Sequence, residues 1–214
     1  MSTTIHAIHI GQPREVAHGK QLIKTSIFKE PTDKRVEIHS LGIKGDTQSD
    51  LVNHGGVDKA LCAYSYDRYS FWEEKLDQPI GYSAFGENIT LYGWLEEEVH
   101  IGDVFELGSA VVQISQPRHP CYKLGIKHQQ PKMPLWVKET GYSGFYFRVL
   151  KEGGASVQDD LKRIESYSHN PTVMEVNRCR NNPDATIEEL TQMIEIKELA
   201  SEWIEAFTKK RDQI

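Results

Sequence analysis

The feature that most constrains this chain is a change of texture near residue 169. Up to about Ser166 the sequence is a series of short apolar runs broken by Gly, Pro and Asp. Beyond it, Thr172-x-x-Glu175 and Thr186-x-x-Glu189 repeat a helix-start pattern. In that pattern a hydroxyl accepts from the third helical N–H and the Glu reaches back to the capping residue. Apolar residues then recur at helical spacing, with Ile187, Leu190 and Ile194 on one stripe and Leu199, Trp203 and Phe207 on another. Three short helices are expected, over Val173–Asn181, Ile187–Ile194 and Leu199–Lys210. A unit of that size buries too little surface to stand alone, so it should dock on the rest of the chain or on a partner.

The preceding part reads as β structure. Thr4–Ile10 alternates its faces, and Gln21–Phe28, Ala60–Tyr64, Val104–Leu107, Val111–Ser115 and Phe145–Leu150 are further strand-like runs. Gly102-Asp103 and Gly108-Ser109 punctuate one hairpin, and Gly153-Gly154 reads as the turn of another. Tyr69, Trp72 and Leu76 suggest a single helix over Asp67–Leu76. Many short strands with few helices point to a barrel or sandwich. The expected organisation is mainly β, barrel-like, over residues 1–168, with a three-helix bundle over 169–214.

Charge narrows the function classes. Lys plus Arg is 25 against 31 Asp plus Glu, a net of −6. That balance supplies no overall field for nucleic acid or anionic lipid. The longest stretch without Asp, Glu, Lys or Arg is Met1–Pro13, which is 13 residues long and carries His6 and His9. A membrane span needs roughly 20 apolar residues, and a signal peptide needs a basic start and an apolar run. A soluble cytoplasmic protein that uses neither nucleic acid nor membrane is the expectation.

Cys62, Cys121 and Cys179 are odd in number and widely spaced, which suits neither a disulfide framework nor a zinc site. Cys62 and Cys179 read as structural. Cys121 differs, because Gln116-Pro117-Arg118-His119-Pro120-Cys121-Tyr122-Lys123 is a rigid loop that surrounds the sulfur with basic groups. Such surroundings favour thiolate, the form needed by a nucleophile or a soft-metal ligand. A buried structural thiol is the alternative.

Gly45–Ala60 gathers Asp46, Asp50, Asp58, His54, Lys59 and the pair Gly55-Gly56. The glycines let backbone N–H groups approach an anion, with Lys59 close by, while the carboxylates and His suit a divalent metal. A surface loop built from turn residues is the plainer alternative. Asn88, in Gly86-Glu87-Asn88-Ile89-Thr90, can bond a heterocycle edge or simply make a turn. Arg148, in an aromatic strand, is an anion clamp if it faces inward and a solvated charge if it faces outward. His6 and His9 should lie on opposite strand faces and share no metal.

Taken together, GDTQSDLVNHGGVDKA, GENIT, QPRHPCYKLG, GFYFRVLKEGG and PTVMEVNR resemble the MOSC family, and within it the YiiM-type members that end in three helices. The resemblance implies a β-barrel-like fold that binds the molybdenum cofactor, a pyranopterin whose dithiolene holds the metal. It implies that the Cys121 thiolate ligates molybdenum. Arg118, Arg148 and Lys59 become candidates for the cofactor's phosphate and oxo groups, and His54, Gly55, Gly56 and Asn88 for the pterin. The implied reaction is detoxifying reduction of N-hydroxylated compounds, hydroxylaminopurines among them. His54, His119 or Asp46 would deliver protons, and an external flavin-type reductase would supply electrons. Three other readings compete: a carrier of cofactor or sulfur, a Cys121-dependent transferase or hydrolase using His119 or His54 as base, and a metal hydrolase built on Asp46, Asp50, His54 and Asp58.

Overall fold

A computed structural model of the chain describes residues 2–49 and 55–214. His54 and Asp50 therefore lie outside the described residues.

Seven strands close into a barrel. Around the ring they are β1 (Ser2–Ile10), β13 (Asp160–Glu165), β9 (Val104–Leu107), β10 (Ala110–Pro117), β11 (Phe145–Lys151), β7 (Leu61–Ser65) and β8 (Ile89–Leu91), and β8 returns to β1. All these pairs are antiparallel except β7 with β8. Closure leaves the barrel without free edges, and short β4 (Glu30–Pro31) adds to β1 outside the ring. The β9–β10 hairpin turns at Gly108-Ser109 as the sequence suggests.

Outside the barrel, β2 (Arg14–His18) pairs with β3 (Gln21–Thr25), and β5 (Val36–His39) lies between β6 (Gly42–Ile43) and β12 (Gly153–Ala155). Two expectations change here. The run starting at Gln21 ends as a strand at Thr25, which frees Ser26–Lys29 to form a wall of the site. Gly153-Gly154 belongs to strand β12 and is not a turn. A Cβ on Gly153 would stand 2.5 Å from the Ala110 backbone nitrogen, so bare glycine allows this strand to cross close to β10.

Helix α1 (Tyr69–Leu76) follows a 3-10 turn at Tyr66–Arg68, and α2 (Lys123–Lys127) and α3 (Met133–Thr140) follow β10. Tyr64, Trp72, Phe85, Leu124, Met133 and Val137 form an apolar cluster that packs these helices beneath the loop before β8. Within it the Tyr64 and Phe85 rings stack at 3.8 Å.

The C-terminal helices are α4 (Val173–Asn181), α5 (Ile187–Ile194) and α6 (Ser201–Arg211). Both capping boxes are present, at Thr172 with Glu175 and at Thr186 with Glu189. Val173, Val176, Leu190, Trp203 and Phe207 join Phe105, Ile114 and Phe147 of the barrel in one apolar core. Burying Phe207 alone contributes about 2–3 kcal/mol. Backbone bonds from Val173 to Val99 O, Met174 to Glu96 O and Ala200 to Ser115 O fix the unit on the barrel. Docking, expected on the barrel or a partner, is thus on the barrel. Among the described residues no helix is long and apolar enough to cross a membrane.

Candidate functional site

One end of the barrel holds a cavity built from the ends of several elements. β10 runs out at Pro117 into Arg118, Cys121 and Lys123; β7 gives Cys62 and β11 gives Tyr146. The loop before β8 adds Phe85, Gly86 and Asn88, and the chain after β3 adds Ser26 and Lys29. Gly86 has φ +77°, and a Cβ there would meet Ile27 Cγ1 at 2.8 Å, so only glycine lets these last two walls touch. The Arg118 N–H donates to Gly144 O at 3.0 Å, which anchors the cysteine loop to the start of β11.

The polar inventory of the cavity is unusual. Among the described residues, Ser26 Oγ, Gln48 Oε1 and Arg118 Nη1 are buried without a hydrogen-bond partner, and all three residues line it. Arg118 is 5% exposed and Lys123 is 8% exposed, and neither makes an ion pair among the described residues. Unpaired buried polar atoms cost of order 1–3 kcal/mol each, so folding alone does not account for such a cluster. A ligand rich in anionic oxygen would satisfy the guanidinium, the ammonium and the hydroxyl together.

Cys121 is partly exposed and lines both this cavity and a larger adjoining chamber. Cys62 is buried as expected of a structural thiol, yet it also lines the inner cavity. Burial pushes the Cys62 thiol up to about 12, against the pull of Arg118, so it remains a thiol at neutral pH. Of the two sulfurs, the accessible one is Cys121.

The other expected residues divide. His119 stands at the rim of the outer chamber, its pKa held below the usual value by partial desolvation and by the Arg180 and Arg118 guanidiniums. It is therefore neutral near pH 7. Lys59 lies in the same chamber, bonded to Glu202 of α6 at 2.5 Å. Asn88 lines the inner cavity, but its amide is occupied: it accepts from Cys62 N–H at 3.2 Å and donates to Asp46 at 2.9 Å and to His9 O at 3.3 Å. It staples the loop before β8 to β7 and β1.

Four of the expected site residues, Asp46, Arg148, Gly55 and Gly56, stand outside the linings of both cavities. Asp46 accepts from Lys29 at 2.5 and 2.7 Å, from Gly11 N–H at 2.8 Å and from Asn88, and it lies outside the cavity lining. A carboxylate held this way is a fixed counter-ion for Lys29. Arg148 donates to Asp58 at 2.8 Å and to Gln113 Oε1 at 3.2 Å, and it too lies outside both cavities. Its guanidinium welds β11 to the 3-10 turn Val57–Lys59. Gly55 and Gly56 lead into that turn and line neither cavity. Lys123 was read as one of the basic neighbours of Cys121, and Lys29, Ser26, Gln48, Arg180 and Glu202 are site residues that sequence reasoning does not single out. Each is an ordinary polar residue whose meaning comes only from its position.

The donor set suits the anionic and metal-bearing part of the cofactor implied by resemblance: one accessible sulfur beside unpaired cationic and neutral donors. The inner cavity has a volume of about 70 Å³, room for an oxyanion and too small for a pterin ring system. The residues here would hold the anionic, metal-bearing part of that cofactor, and its ring system would need space beyond this volume. Among the described residues no group of three or more His, Cys, Asp or Glu is arranged to hold a metal ion. Asp46 and Asp58, two of the three carboxylates expected of a metal hydrolase, are engaged by Lys29 and Arg148.

Comparison with known proteins agrees with this architecture. The MOSC domain matches residues 50–162. The chain is 40% identical over 211 residues to YflK of Bacillus subtilis, covering 99% of this chain and 96% of that protein. It is 32% identical over 193 residues to a protein of Gibberella moniliformis named Reductase, covering 87% of this chain but only 34% of that longer protein. The crystal structure of YiiM from Geobacillus stearothermophilus superposes with a TM-score of 0.83 at 34% identity, over 98% of this chain and 99% of that one. With a barrel closed by β1 and β13, a cysteine loop at its end and three helices docked on its side, the chain belongs to the MOSC domain family and is of the YiiM type.

Proposed function

We propose that this protein is a molybdenum-cofactor-dependent reductase of N-hydroxylated compounds, in which Cys121 supplies the protein ligand to the metal. The observation that carries the reading is the set of buried atoms without a partner among the described residues, Ser26 Oγ, Gln48 Oε1 and Arg118 Nη1, lining the cavity that Cys121 borders. The relative named Reductase adds support, with the matching region about a third of that longer protein. The electron donor in this reading is a separate flavin-type reductase.

When bound, the cofactor supplies two-electron chemistry, and the overall change is R–NHOH + 2e⁻ + 2H⁺ → R–NH₂ + H₂O. The residues have simpler tasks. Cys121 anchors the metal, with a thiolate as the soft donor. Arg118 and Lys123 neutralise anionic oxygen and hold it in register with Cys121. Cys62, kept protonated, fills the floor without competing as a ligand. His119, neutral and at the rim, can take a proton from solvent and pass it to a departing hydroxyl. His54 remains a candidate for the same task from the segment outside the described residues.

The test is molybdenum and pterin analysis of freshly isolated protein from a cofactor-competent host, followed by hydroxylaminopurine reduction with an added flavin reductase. Molybdenum near one per chain with amine formation supports the proposal. Metal without reduction identifies a carrier, and turnover without molybdenum identifies a Cys121-dependent hydrolase or transferase.

A further inference from the structure

Three stretches of chain wall the inner cavity: the cysteine loop, the chain after β3 and the loop before β8. A side chain outside the lining ties all three together. Lys127 ends α2, the helix that starts at Lys123 directly after the cysteine loop. Its Nζ donates to Ile27 O at 3.1 Å and to Ser83 O. The same Ser83 carbonyl accepts from Gly86 N–H at 2.8 Å, so the ammonium is built into the turn that sets Gly86 against Ile27. His128, the next residue, adds a second tie, with Nε2 2.7 Å from Ala84 O. The Lys127 ammonium also stands 5.5 Å from the centre of the Phe28 ring, which Arg14 covers at 3.9 Å. Glu87, a fully buried carboxylate whose charge bears on Lys127, is bonded instead to the Tyr69 hydroxyl, the Thr90 hydroxyl and Phe85 N–H. The positive charge of Lys127 therefore stands behind the cavity with no carboxylate bonded to it among the described residues.

We propose that Lys127 is the positioning residue of the inner cavity: its ammonium holds the three walls at the spacing an oxyanion needs and adds positive charge behind them. The proposal rests on the reading of that cavity as the seat of an anionic ligand beside Cys121, and names the group that keeps it formed. Burial lowers the Lys127 pKa to about 8; Glu87 opposes that shift, and Arg14, Arg118 and Lys29 add to it. His9 and His128 face the same ammonium, and its charge disfavours theirs. Lys127 is therefore charged at pH 7 and loses its charge as pH rises through about 8. An anion in the cavity favours the ammonium over the amine. By reciprocity, anion binding takes up protons near pH 8, and anion affinity falls as pH climbs past that point. A lysine that served only as packing would produce neither effect.

The experiment titrates sulfate, a dianion throughout, into the cofactor-free full-length chain on both sides of pH 8. Calorimetry in buffers of differing ionisation enthalpy counts the protons taken up, for wild type, Lys127→Arg and Lys127→Met. Wild-type affinity should fall about tenfold across this window, with proton uptake on binding. Lys127→Arg, whose guanidinium keeps both charge and donors, should retain the affinity and lose the fall and the uptake. Titration elsewhere in the cavity is common to these two proteins and cancels between them. Lys127→Met should bind weakly at every pH, and amide exchange should quicken together in residues 26–29 and 83–88. The wild-type pH profile persisting in Lys127→Arg, or exchange in the two segments unchanged in Lys127→Met, overturns the proposal. If Lys127→Met does not fold, the comparison with Lys127→Arg decides. A wild-type chain that binds no sulfate defeats the anion reading of the cavity, while amide exchange still decides whether Lys127 holds its walls.

Discussion

Two buried polar clusters, both within reach of β11, show how one fold uses charge in opposite ways. Around Glu96, which is 1% exposed, every oxygen is matched: Oε1 accepts from Gly144 N–H at 2.8 Å, and Oε2 accepts from Arg68 Nε and Nη2, each at 3.2 Å. Arg68 is itself pressed on the Tyr142 ring and also paired with Glu97. Burial pushes the Glu96 carboxyl up, and the Gly144 and Arg68 bonds oppose it. Around Arg118 the opposite holds, with a guanidinium nitrogen, a hydroxyl and an amide oxygen all buried and unmatched among the described residues. A satisfied cluster fixes structure, whereas an unsatisfied one beside an accessible sulfur marks where something else must bind. Proximity to charge does not separate the two; completeness of the hydrogen bonding does.

The largest expected break in this contrast is at Cys121. Cys121→Ser should lower reduction by about three orders of magnitude, or about 4 kcal/mol in the barrier, because a hydroxyl at neutral pH is a poor soft-metal ligand. Thermal unfolding of the same variant should stay close to wild type, since this side chain is partly exposed. Wild-type turnover by the serine variant would remove the sulfur from the mechanism. Next is the closed cluster. Glu96→Ala should cost about 3 kcal/mol in urea unfolding, because it leaves Arg68 and Gly144 N–H facing a void. A loss below 1 kcal/mol would show that the closed cluster is not holding the α1 region to β11.

An intermediate case is His9, fully buried, with Nε2 bonded to the Thr90 hydroxyl at 2.9 Å and Nδ1 without a partner among the described residues. Burial lowers its pKa to about 4. The unfolded chain therefore binds this proton near pH 6.5 and the folded chain only near 4. The stabilising contribution is complete above pH 6.5 and fades as pH falls toward 4, by roughly 3 kcal/mol in total. His9→Gln should flatten this part of the pH–stability curve. An unchanged slope would assign the acid sensitivity to other groups.

These clusters also explain what could be read from sequence. The two capping boxes announced α4 and α5 to the residue, because local chemistry alone sets a helix start. Strands β1, β9, β10 and β11 were legible through alternation and turn residues. Helices α2 and α3 were not, since Gly125, Pro131 and Pro134 break any periodicity within two short turns. Cys121 stood out because its basic neighbours are adjacent in sequence. Ser26, Gln48 and Glu202 did not, because the chain brings them to the cysteine only through folding. Arg148 misled for the same reason: an inward arginine looks identical whether its partner is a ligand or Asp58.

The smallest expected effect sharpens the comparison most, because its two readouts should move in opposite directions. Arg118→Met keeps the bulk of the side chain and removes a buried, incompletely bonded charge. Replacing a buried charge with apolar atoms of similar shape tends to stabilise when the charge lacks a partner, so the cofactor-free protein should gain about 1 kcal/mol. Molybdenum retained per chain after dialysis should fall about tenfold, equivalent to about 1.4 kcal/mol of lost binding. No satisfied residue predicts this combination: Arg68→Met in the closed cluster should lose stability and leave retention alone. Cofactor-free protein destabilised by Arg118→Met would mean that the guanidinium is already paid for inside the fold, through its contact with Cys62, and that the cavity is a structural pocket. A gain in stability joined to a loss of retention would show that the chain carries this charge for its ligand.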